Sequence, residues 1–346
     1  MDDEIIYSYI DEIGKRLGDP GLYGAASLMV GAGFSKNADC IGSKKNTPPD
    51  WTQLSEKMYD ELYPSEKNNQ KRRWEECSGK NVLTLAQKYE VTFDRQALNL
   101  LIERSIADKD YTPSELHRNL LELNWNDIFT TNYDTLLERA IEQIATRKNY
   151  KIVYCQDDLP GSIRPRIVKL HGSIEHSGQY IITEEDYRTY PDKYAPFVNT
   201  VQQSMLETRL CLLGFSGTDP NFLNWLGWLR DNMGEKCLAI YLCGLFDDLG
   251  TAERRMLEQR HITILDLSVL LDGTEKNRHY TALKKFIDLL KQKSEKKKET
   301  IISKKPYEHL DIWDKKQKID MKQYAKDMLE VTNHLLDKLD DYVCLP

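Results

Sequence analysis

Ser27-Leu28-Met29-Val30-Gly31-Ala32-Gly33-Phe34-Ser35 is a short apolar run that ends in small residues. The apolar part is continuous rather than alternating, which suits a strand covered on both faces, as in a parallel sheet. Glycines directly after such a strand allow a tight βα turn and a close approach of the backbone to a ligand. The reading 27–33 as a buried parallel strand therefore predicts an α/β fold with a crevice at its carboxyl end.

Runs of the same kind recur along the chain. RLCLLGFS (209–216) and KCLAIYLCG (236–244) are the clearest, and DIFTT (127–131), RIVKLHG (166–172) and HITILDL (261–267) are shorter. Amphipathic stretches lie between them, at 51–63, 96–106, 114–123, 133–145 and 219–231. Strands alternating with helices predict a Rossmann-like, doubly wound parallel sheet. The segment 51–124 is helical in pattern throughout and separates the first strand from the second, so it is expected to be a helical module inserted into a sheet domain of residues 1–293. A closing helix is expected at 279–293, followed by C-terminal helices. Residues 294–346 read as a lysine-rich linker and an interaction tail. In that tail Met321, Tyr324, Met328, Val331 and Leu335 step by three and four, placing one apolar stripe on a helix.

Composition narrows the class. Of the 346 residues, 40% are hydrophobic, enough for a large core, and 30% are charged. No apolar run of about 18 residues occurs, which argues against a membrane helix. The acidic start MDDEIIYSYIDE lacks the basic, then apolar, pattern of a signal peptide. The expectation is a cytoplasmic protein. A net charge of −7 argues against nucleic acid as a direct partner. The seven cysteines contain no CxxC pair, so neither a disulfide framework nor a structural zinc is expected. Cys155, Cys211, Cys237 and Cys243 lie in or beside apolar runs, as small core residues do.

Four segments at strand ends offer chemistry, each with a purely structural alternative. The Gly31-Ala32-Gly33-Phe34-Ser35 turn suits a pyrophosphate, but Lys36 occupies the place of a third glycine and the pattern is common. Thr130-Thr131-Asn132-Tyr133-Asp134 falls where ligands sit in open α/β sheets, although Asn132 or Asp134 also suits a helix cap. His171, in Leu170-His171-Gly172, is a group able to exchange a proton near neutrality, or a satisfied core histidine. Gly214-Phe215-Ser216-Gly217-Thr218-Asp219 suits a second ligand-contacting loop, and equally an N-cap at Asp219 or Thr218 with Pro220 at the first helical position.

Taken in order, GAGFS, TTNYD, KLHGS and GFSGTD resemble the signatures of the sirtuin-like family: a GAG-x-S loop, a T-x-N-x-D segment and an LHG turn. Pro49-Asp50-Trp51 resembles the family's P-D-F element, at a longer spacing from the glycine loop. The resemblance spans residues 25–270. No cysteine lies between His171 and Cys211, so the zinc-binding cysteines of sirtuin deacylases are missing. GFSGTDPNFL looks like the branch found in prokaryotic antiphage defence, whose members hydrolyse NAD.

The resemblance implies NAD as substrate and no metal. It places the cofactor's pyrophosphate on Gly31, Ala32, Gly33, Phe34 and Ser35, with Asp50, Thr131, Asp134, Gly214, Ser216 and Asp219 also contributing to binding. Asn132 and His171 then face the nicotinamide ribose as the catalytic pair, Asp134 orients the Asn132 loop, and Asp50 holds the nicotinamide amide. The implied reaction gives nicotinamide and ADP-ribose and makes the protein an NAD-depleting effector of abortive infection. The resemblance further implies a homo-oligomer and a defence-system partner such as a P-loop ATPase or an Argonaute-like sensor. An NAD-dependent protein deacylase and a non-catalytic NAD-binding scaffold are the alternatives.

Overall fold

The computed structural model describes residues 3–18, 24–42, 47–79, 81–144, 148–176 and 180–303. The chain divides into two compact units, 1–298 and 299–346. The expected apolar stripe at 321–335 lies outside the described residues.

Among the described residues the first unit has nine strands, seven of them in one parallel sheet. In chain order the strands are β1 (Ala26–Val30), β2 (Asp39–Cys40), β3 (Tyr111–Thr112), β4 (Asp127–Thr130), β5 (Lys151–Val153), β6 (Arg166–Lys169), β7 (Arg209–Leu213), β8 (Ile240–Gly244) and β9 (Ile262–Asp266). The main sheet runs β5-β6-β4-β1-β7-β8-β9, while β2 and β3 form a separate two-stranded antiparallel pair. All five residues of β1 are buried, which is why its sequence is apolar on both faces. From β1 the chain first builds outward through β4, then returns to lay β7 on the opposite side of β1. That reversal puts the switch point of the sheet between the loops that follow β1 and β7.

Helices cover both faces. One face carries α1 (Asp3–Leu17), whose buried Ile6, Ile10, Ile13 and Leu17 recur at helical spacing. They share a core with Leu28, Val30, Phe34, Leu120, Trp125 and Phe286. The other face buries Met29, Phe129, Val168 and Leu212 against residues that include Tyr190, Phe197, Phe222 and Trp225. Each such side chain, taken fully from water, contributes about 1.5–3 kcal/mol before entropy is charged against it.

A single turn, α2 (Ala32–Ser35), links β1 to β2, and between β2 and β3 stand α3 (Trp51–Leu62), α4 (Gln70–Glu76), α5 (Asn81–Phe93) and α6 (Arg95–Ile106). Helices α3, α5 and α6 have their own core of Leu54, Met58, Leu85, Tyr89, Leu98 and Ile102. Tyr133 and Tyr180 join that core from the loops after β4 and β6. The helical segment thus rests on the loop that carries Asn132 and Asp134, and the Tyr133 hydroxyl donates to the Ile181 carbonyl at 2.8 Å.

Several expected boundaries shift. The helix expected at 133–145 is α8 (Leu136–Ile141), after α7 (Glu115–Glu122). The helix at 219–231 is α11 (Pro220–Met233), preceded by α9 (Glu184–Lys193) and α10 (Ala195–Glu207). After α12 (Thr251–Gln259), the closing helix α13 runs Arg278–Ser303, so the first lysines of the expected linker are helical. Cys155 is exposed rather than a core residue, because it lies just past the short edge strand β5, whereas Cys211 and Cys243 are buried. Among the described residues no helix is long and apolar enough to cross a membrane.

Candidate active site

The glycine loop meets the β7 loop backbone to backbone. Gly31 N–H donates to the Leu213 carbonyl at 3.0 Å, and Gly33 N–H to the Gly214 carbonyl at 2.9 Å. A Cβ on Gly31 would lie 2.4 Å from the Gly214 oxygen, and one on Gly214 would lie 2.0 Å from the Phe34 nitrogen. Gly214 also has φ +59°, a conformation that glycine adopts without strain. These glycines are therefore required by loop–loop contact, and the amides of Gly31 and Gly33 are committed to it. The expected helix after the loop is the single turn α2. Phe34 turns its ring into the core against His117, with centroids 4.9 Å apart, so only its backbone belongs to the loop.

Ser35, Asn132 and Asp134 come together. The Asn132 amide donates to Ser35 Oγ at 2.9 Å, and Ser35 Oγ donates to Asp134 Oδ2 at 2.7 Å. The loop that holds them is pinned from below. Thr130 Oγ1 donates to the Val30 carbonyl at 3.0 Å and accepts from Asn132 N–H at 3.0 Å. Thr131 beside it is buried. Asp134 Oδ1 accepts from Leu136 N–H at 3.2 Å, so Asp134 supports the start of α8 while bonding Ser35. Asn132 caps nothing; the N-cap residue is Thr135.

Lys169 and Glu138 lie beneath this loop, both buried, with Lys169 Nζ 2.9 Å from Glu138 Oε1. Lys169 also donates to the Asp134 carbonyl. Burial pushes the Glu138 carboxyl up and Lys169 opposes that shift. Sequence reasoning missed this pair. Its one trace was a lysine inside an otherwise apolar strand run.

His171 is fully buried. The register pairs Thr130 with Lys169, so Asn132 and His171 stand at matching positions two residues beyond the paired strand ends. Adjacent strands lie about 4.8 Å apart. His171 Nε2 lies 3.4 Å from the Asn221 amide nitrogen, while Nδ1 has no hydrogen-bond partner among the described residues. The rings of Tyr187 and Tyr190 meet the imidazole edge-on, with centroids at 5.4 and 5.7 Å. Burial lowers the His171 pKa, partly offset by the negative charges of Asp219 and Asp186.

The remaining expected residues are engaged locally. Asp219 caps α11 by accepting from Phe222 N–H at 3.0 Å, and Pro220 opens the helix as expected. Its second oxygen accepts from the Tyr187 hydroxyl at 2.8 Å. Ser216 is exposed and shares a hydrogen bond with Thr218 at 2.7 Å. Asp50 caps α3 in a reciprocal pair with Gln53 and is 2.6 Å from Lys36 Nζ. Partial burial raises its pKa, but Lys36 and the Gln53 amide outweigh that and hold it below the usual carboxylate range. Lys36, standing where a third glycine was absent, thus ties Asp50 to the glycine loop.

A cavity of about 270 Å³ opens beside these groups, at the ends of β5 and β6. Tyr154, Lys169, Gly172, Ser173, His176 and Phe197 are among its lining residues. None of the residues expected to contact NAD lines it, although it shares the Leu170–Gly172 turn. Among the described residues, no group of three or more His, Cys, Asp or Glu side chains is arranged to hold a metal ion.

A family model described as a SIR2-like domain matches residues 126–265, which include Asn132, His171 and the β7 loop but not the glycine loop. Among curated proteins, the chain is 29% identical over 226 residues to the NAD(+) hydrolase ThsA of Enterococcus faecium, covering 63% of this chain and 43% of that protein. It is 32% identical over 149 residues to the protein of the same name from Acinetobacter baumannii (strain 532279), covering 41% and 30%. The defense-associated sirtuin 2 of Bacillus subtilis is 25% identical over 302 residues, covering 82% of this chain and 27% of that protein. The chain spans less than half the length of these relatives. A solved structure described as the structural basis for the mechanism and regulation of Sir2 enzymes superposes with a TM-score of 0.35 at 12% identity, covering 86% of this chain and all of that one.

Proposed function

We propose that this chain, which carries a SIR2-like domain, is a cytoplasmic NAD hydrolase that cleaves the nicotinamide–ribose bond and serves antiphage defence by depleting NAD. The observation that carries the reading is the placement of Asn132, in its hydrogen-bonded chain with Ser35 and Asp134, beside a buried histidine at the end of the neighbouring strand. The names of the similar proteins point the same way. His171 Nδ1, which has no partner among the described residues, suits a substrate group, since a buried polar atom without a partner is costly unless something bonds it.

The chemistry follows from the residue types. As the C–N bond breaks, its electron pair moves to the nicotinamide nitrogen and the ribose carbon becomes oxocarbenium-like. The Asn132 amide holds a ribose hydroxyl or the incoming water without adding a full charge. Water forms the new C–O bond, and His171 takes its proton before passing it to solvent. The lowered pKa keeps the imidazole neutral, as a base must be. Homo-oligomerisation, a defence-system partner, and an interaction role for residues 306–346 belong to the same proposal.

Asn132→Ala and His171→Ala test it. Because His171 is fully buried, His171→Gln accompanies the alanine variant. Turnover of NAD is expected to fall by about 10²–10⁴-fold in each, with melting temperature retained in Asn132→Ala and His171→Gln. A folded variant that keeps wild-type turnover removes that residue from the site.

A further inference from the structure

Asn221 is a polar residue in an unexpected place. It is the second residue of α11 and is buried beside Phe222, Trp225 and Leu226, whose side chains belong to the core under the sheet. The cap of this helix is already supplied by Asp219, so the helix start does not need the Asn221 side chain. A buried amide needs a partner, and the one observed is His171 Nε2 at 3.4 Å.

Among the described residues the imidazole is otherwise held by shape. Tyr187 and Tyr190 flank it edge-on, and both rings are themselves anchored. Tyr187 donates to Asp219, and Tyr190 donates to the Leu170 carbonyl at 2.9 Å. These walls block tilting, but they do not decide which ring nitrogen carries the proton. An amide carries an acceptor and a donor at one end, and a half-turn exchanges them. As placed, the amide nitrogen faces Nε2 and would leave a buried, unpartnered N–H on Nδ1; the half-turn that brings the oxygen to Nε2 lets Asn221 accept Nε2–H and leaves only a lone pair on Nδ1, which has no partner among the described residues.

We propose that Asn221 is a positioning residue that fixes the orientation and tautomer of His171, so that Nδ1 is the atom that exchanges the proton. The proposal rests on the NAD-hydrolase reading for its kinetic consequence but not for its structural one. The charged and titratable groups that face the imidazole are Asp219 at the start of α11, and Asp186, Tyr187 and Tyr190 on α9.

Asn221→Ala and Asn221→Asp, made in the full chain, test it by two routes. In Asn221→Ala, kcat for NAD is expected to fall at least about tenfold with KM little changed, as for loss of base orientation rather than binding. In Asn221→Asp, a carboxylate beside Nε2 favours the imidazolium, so the acid limb of kcat moves to higher pH while the protein stays folded. Independently of turnover, ¹⁵N spectra of histidine-labelled protein, with His171 assigned through His171→Gln, are expected to show the Nε2–H tautomer in the wild type and a mixture in Asn221→Ala. Wild-type protein without NAD turnover but with this tautomer pattern would sink the functional reading and keep the positioning role. An Nδ1–H tautomer, or one unchanged in Asn221→Ala, overturns the proposal. So does a loss of turnover that only tracks the folded fraction, with no shift in the pH profile of Asn221→Asp.

Discussion

His117 and His171 are both buried imidazoles, and their surroundings separate a structural role from a chemical one. His117 Nδ1 accepts from Ser114 N–H at 3.3 Å, closing the cap of α7, and its ring rests against Phe34. Burial, with Arg118 and Arg139 nearby, pushes its pKa from 6.5 down to about 3. The native state therefore binds fewer protons than the unfolded chain between those values. Its contribution to stability is intact above pH 6.5 and is lost as the pH falls toward 3, by about 1.4 kcal/mol per pH unit. Replacing His117 with Gln is expected to reduce proton uptake on unfolding by about one across this window. Denaturant titrations at a series of pH values check this, and an unchanged pH slope contradicts it. At this scale the sequence was partly legible. Asn132, Ser35 and Asp134 meet as their motifs implied, because each directly follows a strand of one sheet. Asn221 and Tyr187 gave no signal, since a histidine's neighbours depend on packing between α9, α11 and the sheet, which no local pattern encodes.

The loops after β1 and β7 are the elements on which the site depends, and their contact is backbone to backbone. Gly214→Ala would place a methyl group 2.0 Å from the Phe34 nitrogen, at a residue with positive φ. A loss of about 3 kcal/mol or more is expected in chemical denaturation, with NAD binding lost in whatever remains folded. Wild-type stability in this variant would mean that the two loops do not meet. The sequence marked both loops as glycine-rich ends of buried strands, but it read the Gly31–Ser35 loop as a pyrophosphate site and the Gly214–Asp219 loop as a ligand contact or turn, not as partners of each other. The buried strands were legible because continuous apolar runs leave little choice of environment. The edge strand β5 was not, because its first residue is exposed and its run is three residues long. Helix α1 escaped notice because its acidic first turn reads as charge before it reads as a helix start.

For the whole molecule, the sheet order explains why four separated motifs form one region. Strands β6, β4, β1 and β7 are consecutive in space, so the loops after them line up along one edge of the sheet. The helical segment between β2 and β3 packs on Tyr133 and Tyr180, which come from the loops after β4 and β6. The central claim is hydrolysis of NAD without an acylated co-substrate. Its most direct test is to incubate the purified chain with NAD alone, with and without phage lysate, and to quantify nicotinamide and ADP-ribose by chromatography and mass spectrometry. The account predicts both products in equal amounts, with no need for acetylated peptide, and their disappearance in Asn132→Ala. Release of nicotinamide only in stoichiometric step with deacetylation of an added peptide, or no NAD consumption under either condition, would contradict it.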